Sequence, residues 1–351
     1  MEAESMPSCR VPIRTKERDK VGVWGFGNVS RDVVLSLVSQ GLGKEIVFYS
    51  RPKEEFPNRA GAWIEDLKAN IKGGPRLLGT NSVEDMAGLD VIFIGVGVPR
   101  RGGQSRRDLL DINTSIIAKT SLQIRELYEG CGDQDKPILV FMGNPVTPMT
   151  WVGYKASGFQ RENVMGQAGN LDSRRICHAI AKVLGVSSSN VHGIVFGEHG
   201  DSMVASTEHF SVSGIPLKEF LKVEGIDEGR IKQVIEEAKK GGTHFVNEVG
   251  QSASAGPARA ASEMLRAIIG GESEVQPIVA ILEAEYGLLN ENDELDSFGF
   301  GVPALIGPYG VEKIYELAVD DIRSDLVRSA DLIKQDTRTA AQILKEKFGI
   351  T

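Results

Sequence analysis

Residues 20–51 constrain the fold more than any other stretch of this sequence. An apolar run at residues 21–24 meets Gly25 and Gly27, and an amphipathic segment then leads to a second apolar run at residues 46–49. This order predicts a strand, a tight glycine turn, a helix and a second strand. Glycines let the backbone approach a ligand, and the helix N-terminus offers free N–H groups and a positive dipole end. The stretch therefore predicts a site for the pyrophosphate of a dinucleotide.

Two serines depart from the usual pattern of such a turn. Ser30 stands where a third glycine is usual. Ser50 ends the second strand, where an acidic residue would accept hydrogen bonds from a ribose. The change at Ser30 is small, because a hydroxyl can fit where the helix packs closely on the sheet. Ser50 bears on which dinucleotide is bound.

Strands and helices alternate through the first half of the chain. Apolar residues recur at helical spacing from Val29 to Leu37, so a helix is expected at residues 28–40. The other expected elements are helices at residues 60–71 and 112–129 and strands at residues 90–95 and 138–142. Both strands are continuously apolar, as strands buried on two faces are, and the alternation predicts an α/β fold with a doubly wound parallel sheet.

The pattern changes near residue 166. The expected elements beyond it are helical segments at residues 217–240, from Pro257 onward and at 320–347, and short strands at 278–282 and 301–306. Glycines separate these short apolar runs, which predicts antiparallel strands. We therefore expect a dinucleotide-binding domain at residues 20–165 and a substrate-binding and catalytic domain at residues 166–351. Residues 1–19 are expected to form a disordered tail.

Charge and cysteine usage exclude several classes of function. The net charge of −8 and the absence of a basic stripe argue against nucleic acid as a partner. No apolar run approaches the roughly 18 residues of a membrane span, so no membrane partner is expected. Cys9, Cys131 and Cys177 lack the spacing of a zinc site or a disulfide framework. We therefore expect no metal, and reduced thiols in a cytoplasmic protein.

An arginine-rich loop follows the strand predicted at residues 90–95. Residues 97–108 contain four arginines and two adjacent glycines. In an open parallel sheet, ligands bind outside the carboxyl ends of the strands. A loop with glycines can close there, and guanidinium groups can grip the carboxylates of an anionic substrate. The alternative is a solvated basic loop that contacts no ligand.

Two polar stretches near predicted strand and helix ends carry further candidates. Asn144 follows the strand predicted at residues 138–142, although Asn-Pro is first of all a turn signal. Asp172 and Arg175 are three residues apart, so they share one face of a helix. The ordinary alternative for Asp172 is an acid that stabilises the helix N-terminus, with Arg175 at the surface.

His199 is the candidate general base. It lies between Gly197 and Gly200, after a short predicted strand, and imidazole suits proton transfer near neutral pH. A lone histidine is more often structural. The whole set is nevertheless coherent, because oxidising an alcohol requires a base for the hydroxyl proton, a hydride acceptor and charges that hold an acidic substrate.

These motifs resemble those of the malate/L-lactate dehydrogenase family from about residue 20 to the final helix. The most specific pieces are Leu-Asp-Ser-Arg-Arg at residues 171–175 and Gly-Glu-His-Gly-Asp-Ser at residues 197–202. The loop at residues 98–110, Asn-Pro-Val at 144–146 and Gly-Val-Glu-Lys-Ile at 310–314 support them. The resemblance implies a Rossmann-type doubly wound parallel sheet plus a C-terminal mixed α/β substrate domain.

The resemblance also implies a role for each candidate. By motif position, His199 looks like the proton acceptor and Asp172 like the partner that orients it and stabilises the imidazolium. Arg175 would hold the C1 carboxylate of the substrate in a bidentate fork. Arg106, in the loop, would polarise the C2 carbonyl, and Asn144 would help to place that oxygen and the nicotinamide.

Arg100 decides between substrates within the family. Malate members carry an arginine at this place in the loop, whereas lactate members carry an uncharged glutamine. An arginine can pair with the second carboxylate of oxaloacetate, but with pyruvate it would be enclosed without a partner, which is costly. The resemblance therefore implies a dicarboxylate substrate, malate or oxaloacetate. The alternatives are an L-lactate or other 2-hydroxy acid dehydrogenase and, from a different class, a non-catalytic dinucleotide-binding protein.

The end of the second strand favours NADP(H) over NAD(H). An acid at position 50 would repel a 2′-phosphate, whereas Ser50 can donate a hydrogen bond to it and Arg51 adds a cation. The alternative is NAD(H), with Arg51 in solvent. The expected cofactor-binding residues are Gly25, Gly27, Asn28, Val29, Ser50, Arg51, Asn113 and Asn144. The resemblance further implies a homo-oligomer, with a tetramer favoured over a dimer.

Overall fold

The computed structural model describes residues 18–99, 106–200 and 202–351. The strands are β1 (Lys20–Trp24), β2 (Glu45–Tyr49), β3 (Arg76–Thr80), β4 (Val91–Ile94), β5 (Ile138–Phe141), β6 (Val164–Gly166), β7 (Val191–Gly193), β8 (Phe196–Gly197), β9 (Met203–Val204), β10 (Phe210–Val212), β11 (Ile215–Pro216), β12 (Glu274–Leu282), β13 (Phe298–Gly307) and β14 (Gly310–Ile314). The α-helices are α1 (Asn28–Gln40), α2 (Arg59–Asn70), α3 (Arg106–Leu127), α4 (Val146–Ser157), α5 (Gly169–Leu184), α6 (Leu217–Glu224), α7 (Glu228–Lys239), α8 (Gly241–Val249), α9 (Ala255–Ile269) and α10 (Arg323–Phe348).

The main sheet confirms the expected α/β fold. Its strand order is β3-β2-β1-β4-β5-β6-β12-β13-β8-β9, with β14 paired to β13. All neighbours from β3 to β6 run parallel. Every residue of β4 and β5 is buried, because helices cover both faces of the sheet. The direction of the strand order reverses between β1 and β4, and such a point opens a crevice at the carboxyl ends of the strands.

An antiparallel half continues the same sheet. The pair of β12 and β13 confirms the antiparallel strands predicted from the glycine-separated apolar runs. Val279 of β12 pairs with Gly166 of β6, and this contact joins the two halves. A smaller antiparallel sheet, in the order β11-β10-β7, packs over α5, α6 and α7 around a second core cluster. The sheet that presents the glycine turn is therefore continuous with the strands that carry the histidine.

Most helices begin and end near their predicted limits, and the exceptions have local causes. The helix at α1 has the bounds that the sequence predicted. The helix at α3 begins at Arg106 rather than at residue 112, because Leu109 and Leu110 are already buried against the core and Asp108 lies in its first turn. The segment predicted as helical at residues 217–240 is interrupted, since Gly225 ends α6 in a left-handed conformation with φ of 67°.

The expected disordered tail is wrong at its last two residues. Arg18 is only 4% exposed, and its guanidinium donates hydrogen bonds to the carbonyl oxygens of Pro308 and Asp90. Burial lowers the pKa of Arg18, although the nearby charge of Asp90 acts in the opposite direction. The backbone N–H of Asp19 donates to the carboxylate of Asp90 at 3.0 Å. Residues 1–17 lie outside the described residues.

No helix in the described ranges is long and apolar enough to cross a membrane.

Replacing Arg18 with Ala should lower the free energy of unfolding by about 1–3 kcal/mol, because two buried carbonyl groups lose a charged donor. Urea denaturation of the full chain measures this change. Lys20→Ala is the matched control, since it removes an exposed cation two residues away and should change stability by less than about 0.5 kcal/mol. Equal effects of the two variants would show that Arg18 does not anchor the start of β1.

Candidate active site

The glycine turn after β1 has the geometry that close approach of a ligand requires. Gly25 has φ of 114°, a conformation that residues with a side chain rarely adopt. A Cβ atom added there would lie 2.8 Å from Cγ1 of Val96. Gly27 is the N-cap of α1, and no side chain caps this helix. The first N–H groups of α1 are therefore left for another acceptor.

The first turn of α1 fits the pyrophosphate of a dinucleotide. Asn28 is exposed and Val29 is half-buried, and both contribute backbone N–H groups at the positive end of the helix dipole. The Asn28 side chain does not cap the helix, since its Oδ1 accepts a hydrogen bond from Arg31 at 2.6 Å. Ser30 is fully buried and packs directly against Gly95 of the neighbouring strand end. Helix and sheet thus remain in close contact despite the missing glycine.

Ser50 and Arg51 lie in different environments at the end of β2. Ser50 is 1% exposed, and its Oγ accepts a hydrogen bond from the backbone N–H of Ala60 at 3.1 Å. The oxygen of this hydroxyl thus holds the start of α2, and its O–H can still donate a hydrogen bond. Arg51 is exposed. A contact of either residue with the cofactor stays a prediction.

Asn113 connects two loops at the carboxyl ends of β4 and β5. It is fully buried, and its Nδ2 donates to the carbonyl oxygens of Val98 at 3.1 Å and Asn144 at 2.6 Å. Its Oδ1 accepts from the N–H of Val98 at 2.8 Å. A contact of Asn113 with the cofactor stays a prediction. Asn144 itself is exposed, at the mouth of the crevice.

Asp172, Arg175 and His199 come together as the sequence motifs suggested. Nδ1 of His199 lies 2.7 Å from Oδ2 of Asp172, whose side chain is 1% exposed. Nη1 of Arg175 lies 3.8 Å from Oδ1 of the same carboxylate. The side chains of His199 and Arg175 are 24% and 30% exposed, so both remain reachable from solvent. One buried carboxylate thus holds a histidine and an arginine side by side.

Two serines that the sequence analysis missed hold this arrangement in place. Ser173, next to Asp172 on α5, accepts a hydrogen bond at Oγ from the N–H of Val195 at 3.1 Å. Ser329, on α10, accepts one from the N–H of Glu198 at 3.1 Å. Ser173 lies within the motif at residues 171–175, whereas Ser329 lies far along the chain and carries no local signal. Both bonds fix the segment that presents His199.

The pKa of His199 is raised above its ordinary value. Burial disfavours the imidazolium and acts to lower the pKa, but the negative charge of Asp172 and the hydrogen bond to it outweigh burial. Glu198 acts in the same direction as Asp172, and Arg175 acts against them. The site therefore favours a protonated ring that can donate its proton.

An open cleft of about 560 Å³ gives access to this imidazole. Its lining includes Glu198, His199 and Ser202 on one side and Asp325 and Arg328 of α10 on the other. The described residues contain no group of three or more histidine, cysteine, aspartate or glutamate side chains that could hold a metal ion.

Comparison with protein families decides the family of this chain. A family model for the lactate/malate dehydrogenase NAD binding domain matches residues 19–166, and one for the lactate/malate dehydrogenase alpha/beta C-terminal domain matches residues 169–343. The chain belongs to the lactate/malate dehydrogenase family.

Individual members of the lactate/malate dehydrogenase family match almost end to end. A malate dehydrogenase from Staphylococcus carnosus is 34% identical, over 92% of this chain and 98% of its own length. The crystal structure of a malate dehydrogenase from Plasmodium falciparum has a TM-score of 0.83 at 26% identity, covering 93% of this chain and 100% of that one. A lactate dehydrogenase from Cryptosporidium parvum has a TM-score of 0.81 at 27% identity, covering 93% and 99%.

The arginine loop of this family member is only partly described. Arg100 and the rest of residues 100–105 lie outside the described residues. Arg106 begins α3, but only its backbone is described. The roles of Arg100 and Arg106 therefore stay predictions from the sequence.

Replacing Asp172 with Asn should lower the pKa of His199, because the main charge that favours the imidazolium is removed. A raised folded-state pKa means that the pair stabilises the folded protein fully below about pH 6.5. This contribution is lost as the pH rises through the folded-state pKa. The difference in free energy of unfolding between wild type and Asp172→Asn should therefore shrink as the pH rises from about 6.5 through the folded-state pKa of His199.

Proton NMR titration of the His199 ring, assigned by its loss in His199→Asn, measures the midpoint directly. Asp325→Asn is the control, because it removes a half-exposed carboxylate from the same cleft and should leave the midpoint in place. An unchanged midpoint in Asp172→Asn would contradict the charge coupling.

Proposed function

We propose that the chain interconverts (S)-malate and oxaloacetate by reversible hydride transfer with a nicotinamide cofactor, and that it favours NADP(H) over NAD(H). The observation that carries the chemistry is the 2.7 Å contact between His199 and the buried carboxylate of Asp172. A histidine held in this way can move a proton at the substrate oxygen, and a nicotinamide bound at the glycine turn would supply the hydride chemistry. The match to malate dehydrogenases along nearly the whole chain supports this reaction.

Proton transfer falls to His199 in both directions. The carboxylate of Asp172 accepts a hydrogen bond from Nδ1, which leaves Nε2 as the nitrogen that faces the substrate. During reduction the imidazolium donates its proton to the keto oxygen of oxaloacetate. During oxidation the neutral ring accepts the hydroxyl proton of malate. Asp172 stabilises the imidazolium that oxidation creates, and it keeps one tautomer of the neutral ring in place.

The arginines bind and polarise the substrate. Arg175 lies beside the His199 ring through their shared contact with Asp172, so a C1 carboxylate held by its guanidinium would put C2 near the imidazole. Arg106 would approach from the loop and polarise the C2 carbonyl. Asn144, at the mouth of the crevice, would place the same oxygen and the nicotinamide.

Arg100 is the residue that we assign to the second carboxylate. An enclosed guanidinium without an anionic partner is disfavoured, so its presence selects oxaloacetate over pyruvate. The main alternative is an L-lactate or other 2-hydroxy acid dehydrogenase, and the resemblance to the Cryptosporidium parvum lactate dehydrogenase keeps it open. A non-catalytic dinucleotide-binding protein is disfavoured, because it would have no need of the Asp172 and His199 pair.

The preference for NADP(H) is supported by the absence of an acid at position 50 together with the nearby cation of Arg51. The alternative is NAD(H). A homotetramer and a cytoplasmic location are further parts of the proposal. The tetramer is supported by the family resemblance, and the location by the cysteine usage.

Replacing His199 with Asn should lower kcat by about 100-fold or more, because the proton donor and acceptor is lost. Dissociation constants for the reduced cofactor should stay within about twofold of wild type. Steady-state absorbance at 340 nm measures kcat, and quenching of protein fluorescence measures the dissociation constant. A kcat close to that of wild type would contradict the assignment of His199 as the general base.

Replacing Arg100 with Gln should lower kcat/KM for oxaloacetate by about 10- to 100-fold and raise that for pyruvate, since one charged pair is lost. Wild type and variant are assayed in parallel on both keto acids, with NADPH and with NADH. Wild type should prefer oxaloacetate. Equal use of pyruvate by wild type would favour the lactate alternative, and an unchanged preference in the variant would remove Arg100 from substrate selection.

A further inference from the structure

A phenylalanine in the glycine turn carries two guanidinium groups. Phe26 stands between the two glycines and stacks on Phe48 of β2, with ring centroids 5.3 Å apart. The guanidinium carbon of Arg59 lies 5.0 Å from the centroid of the Phe26 ring, and that of Arg31 lies 5.5 Å from it. Arg31 belongs to α1 and Arg59 to α2. Two helices thus deliver positive charge to one aromatic ring beside the pyrophosphate turn.

Both guanidinium groups have unused hydrogen-bonding capacity. Nε of Arg31 and Nε of Arg59 are buried, and neither finds an acceptor within the described part of the chain. Arg31 donates from Nη2 to the side chain of Asn28. A buried donor without an acceptor is unfavourable, and two cations on one ring repel each other. An anion with several oxygens, bound between them, would relieve both conditions.

Arg59 lies next to the position that reads the ribose in dinucleotide-binding folds. The N–H of Ala60 donates to the buried hydroxyl of Ser50, and Arg59 is the preceding residue. The first turn of α2 is therefore fixed against the end of β2. The backbone of Arg59 thus lies next to the end of β2, while its guanidinium lies over the Phe26 ring of the glycine turn.

We propose that Arg59, together with Arg31, forms the binding site for the 2′-phosphate of the adenosine ribose, and that Ser50 is a positioning residue for Arg59. This inference rests on the proposed preference for NADP(H) and assigns the residues that would produce it. A phosphate dianion suits the site because two guanidinium forks offer several N–H donors. Arg51, which the sequence favoured for this role, is exposed and adds a cation at the end of β2.

Calorimetric titration of the full chain with 2′,5′-ADP and with 5′-AMP tests the site without any turnover. Wild type should bind 2′,5′-ADP about tenfold or more tightly than 5′-AMP. Arg59→Ala and Arg31→Ala should each weaken 2′,5′-ADP by about tenfold or more and leave 5′-AMP within about twofold. Arg59→Lys keeps the charge and the aliphatic stem but loses the planar fork, so it should retain part of the preference.

A control variant and a thermal unfolding test separate this site from a general effect of charge and from loss of folding, and one further variant tests the role of Ser50. Lys53→Ala removes a neighbouring exposed cation from the loop before α2 and should leave both affinities near wild type. Ser50→Ala should weaken 2′,5′-ADP selectively, since it frees the N–H of Ala60 and with it the position of Arg59. Thermal unfolding confirms that each variant is folded.

The outcomes distinguish the inference from the function on which it rests. Equal binding of 2′,5′-ADP and 5′-AMP by wild type would overturn the NADP(H) preference and this site together. A wild-type preference that survives in Arg59→Ala but disappears in Arg51→Ala would overturn the site alone. Loss of both ligands in Arg59→Ala and in Arg59→Lys would show a structural role for Arg59 and would also overturn it. None of these results depends on whether oxaloacetate is the substrate.

Discussion

The contact between His199 and Asp172 is the interaction on which the rest of the site depends. Burying a lone carboxylate costs on the order of several kcal/mol. The imidazole offsets part of this cost at Oδ2 of Asp172, and the guanidinium of Arg175 lies 3.8 Å from Oδ1, which has no hydrogen-bond partner among the described residues. The two partners are 27 positions apart in the chain, and they meet because α5 packs against the strand segment that precedes the histidine. The hydroxyls of Ser173 and Ser329 hold that segment from two helices.

Much of this architecture could be predicted from the sequence, because its causes are local. The bounds of α1 follow from apolar spacing and from the glycine that ends it, and the buried parallel strands follow from continuous apolar runs. The grouping of Asp172, Arg175 and His199 followed from a resemblance to known motifs. Helical spacing alone would have allowed a helix-stabilising acid and a surface arginine.

The parts that could not be predicted rest on contacts between distant residues. The sequence predicted that Ser50 contacts the cofactor, but it could not show that the Ser50 hydroxyl accepts a hydrogen bond from the N–H of Ala60. Arg18 looked like part of a tail because its acceptor, the carbonyl oxygen of Pro308, lies 290 positions away in the sequence. The contacts of Phe26 with Arg31 and Arg59 could not be predicted from apolar spacing either, since the three residues come from a turn and two separate helices.

The amide of Asn113 has a consequence for how the two substrates of such an enzyme influence each other. One side chain bonds to both backbone groups of Val98, where the arginine loop begins, and to the carbonyl of Asn144. Because one side chain makes all three bonds, a shift of the Val98 backbone and a shift of the Asn144 backbone both act on the same amide. Coupling of this kind is reciprocal by thermodynamic necessity. A ligand bound against Asn144 and a ligand bound beside Val98 would thus act on one buried amide, and each would change the affinity for the other by the same factor.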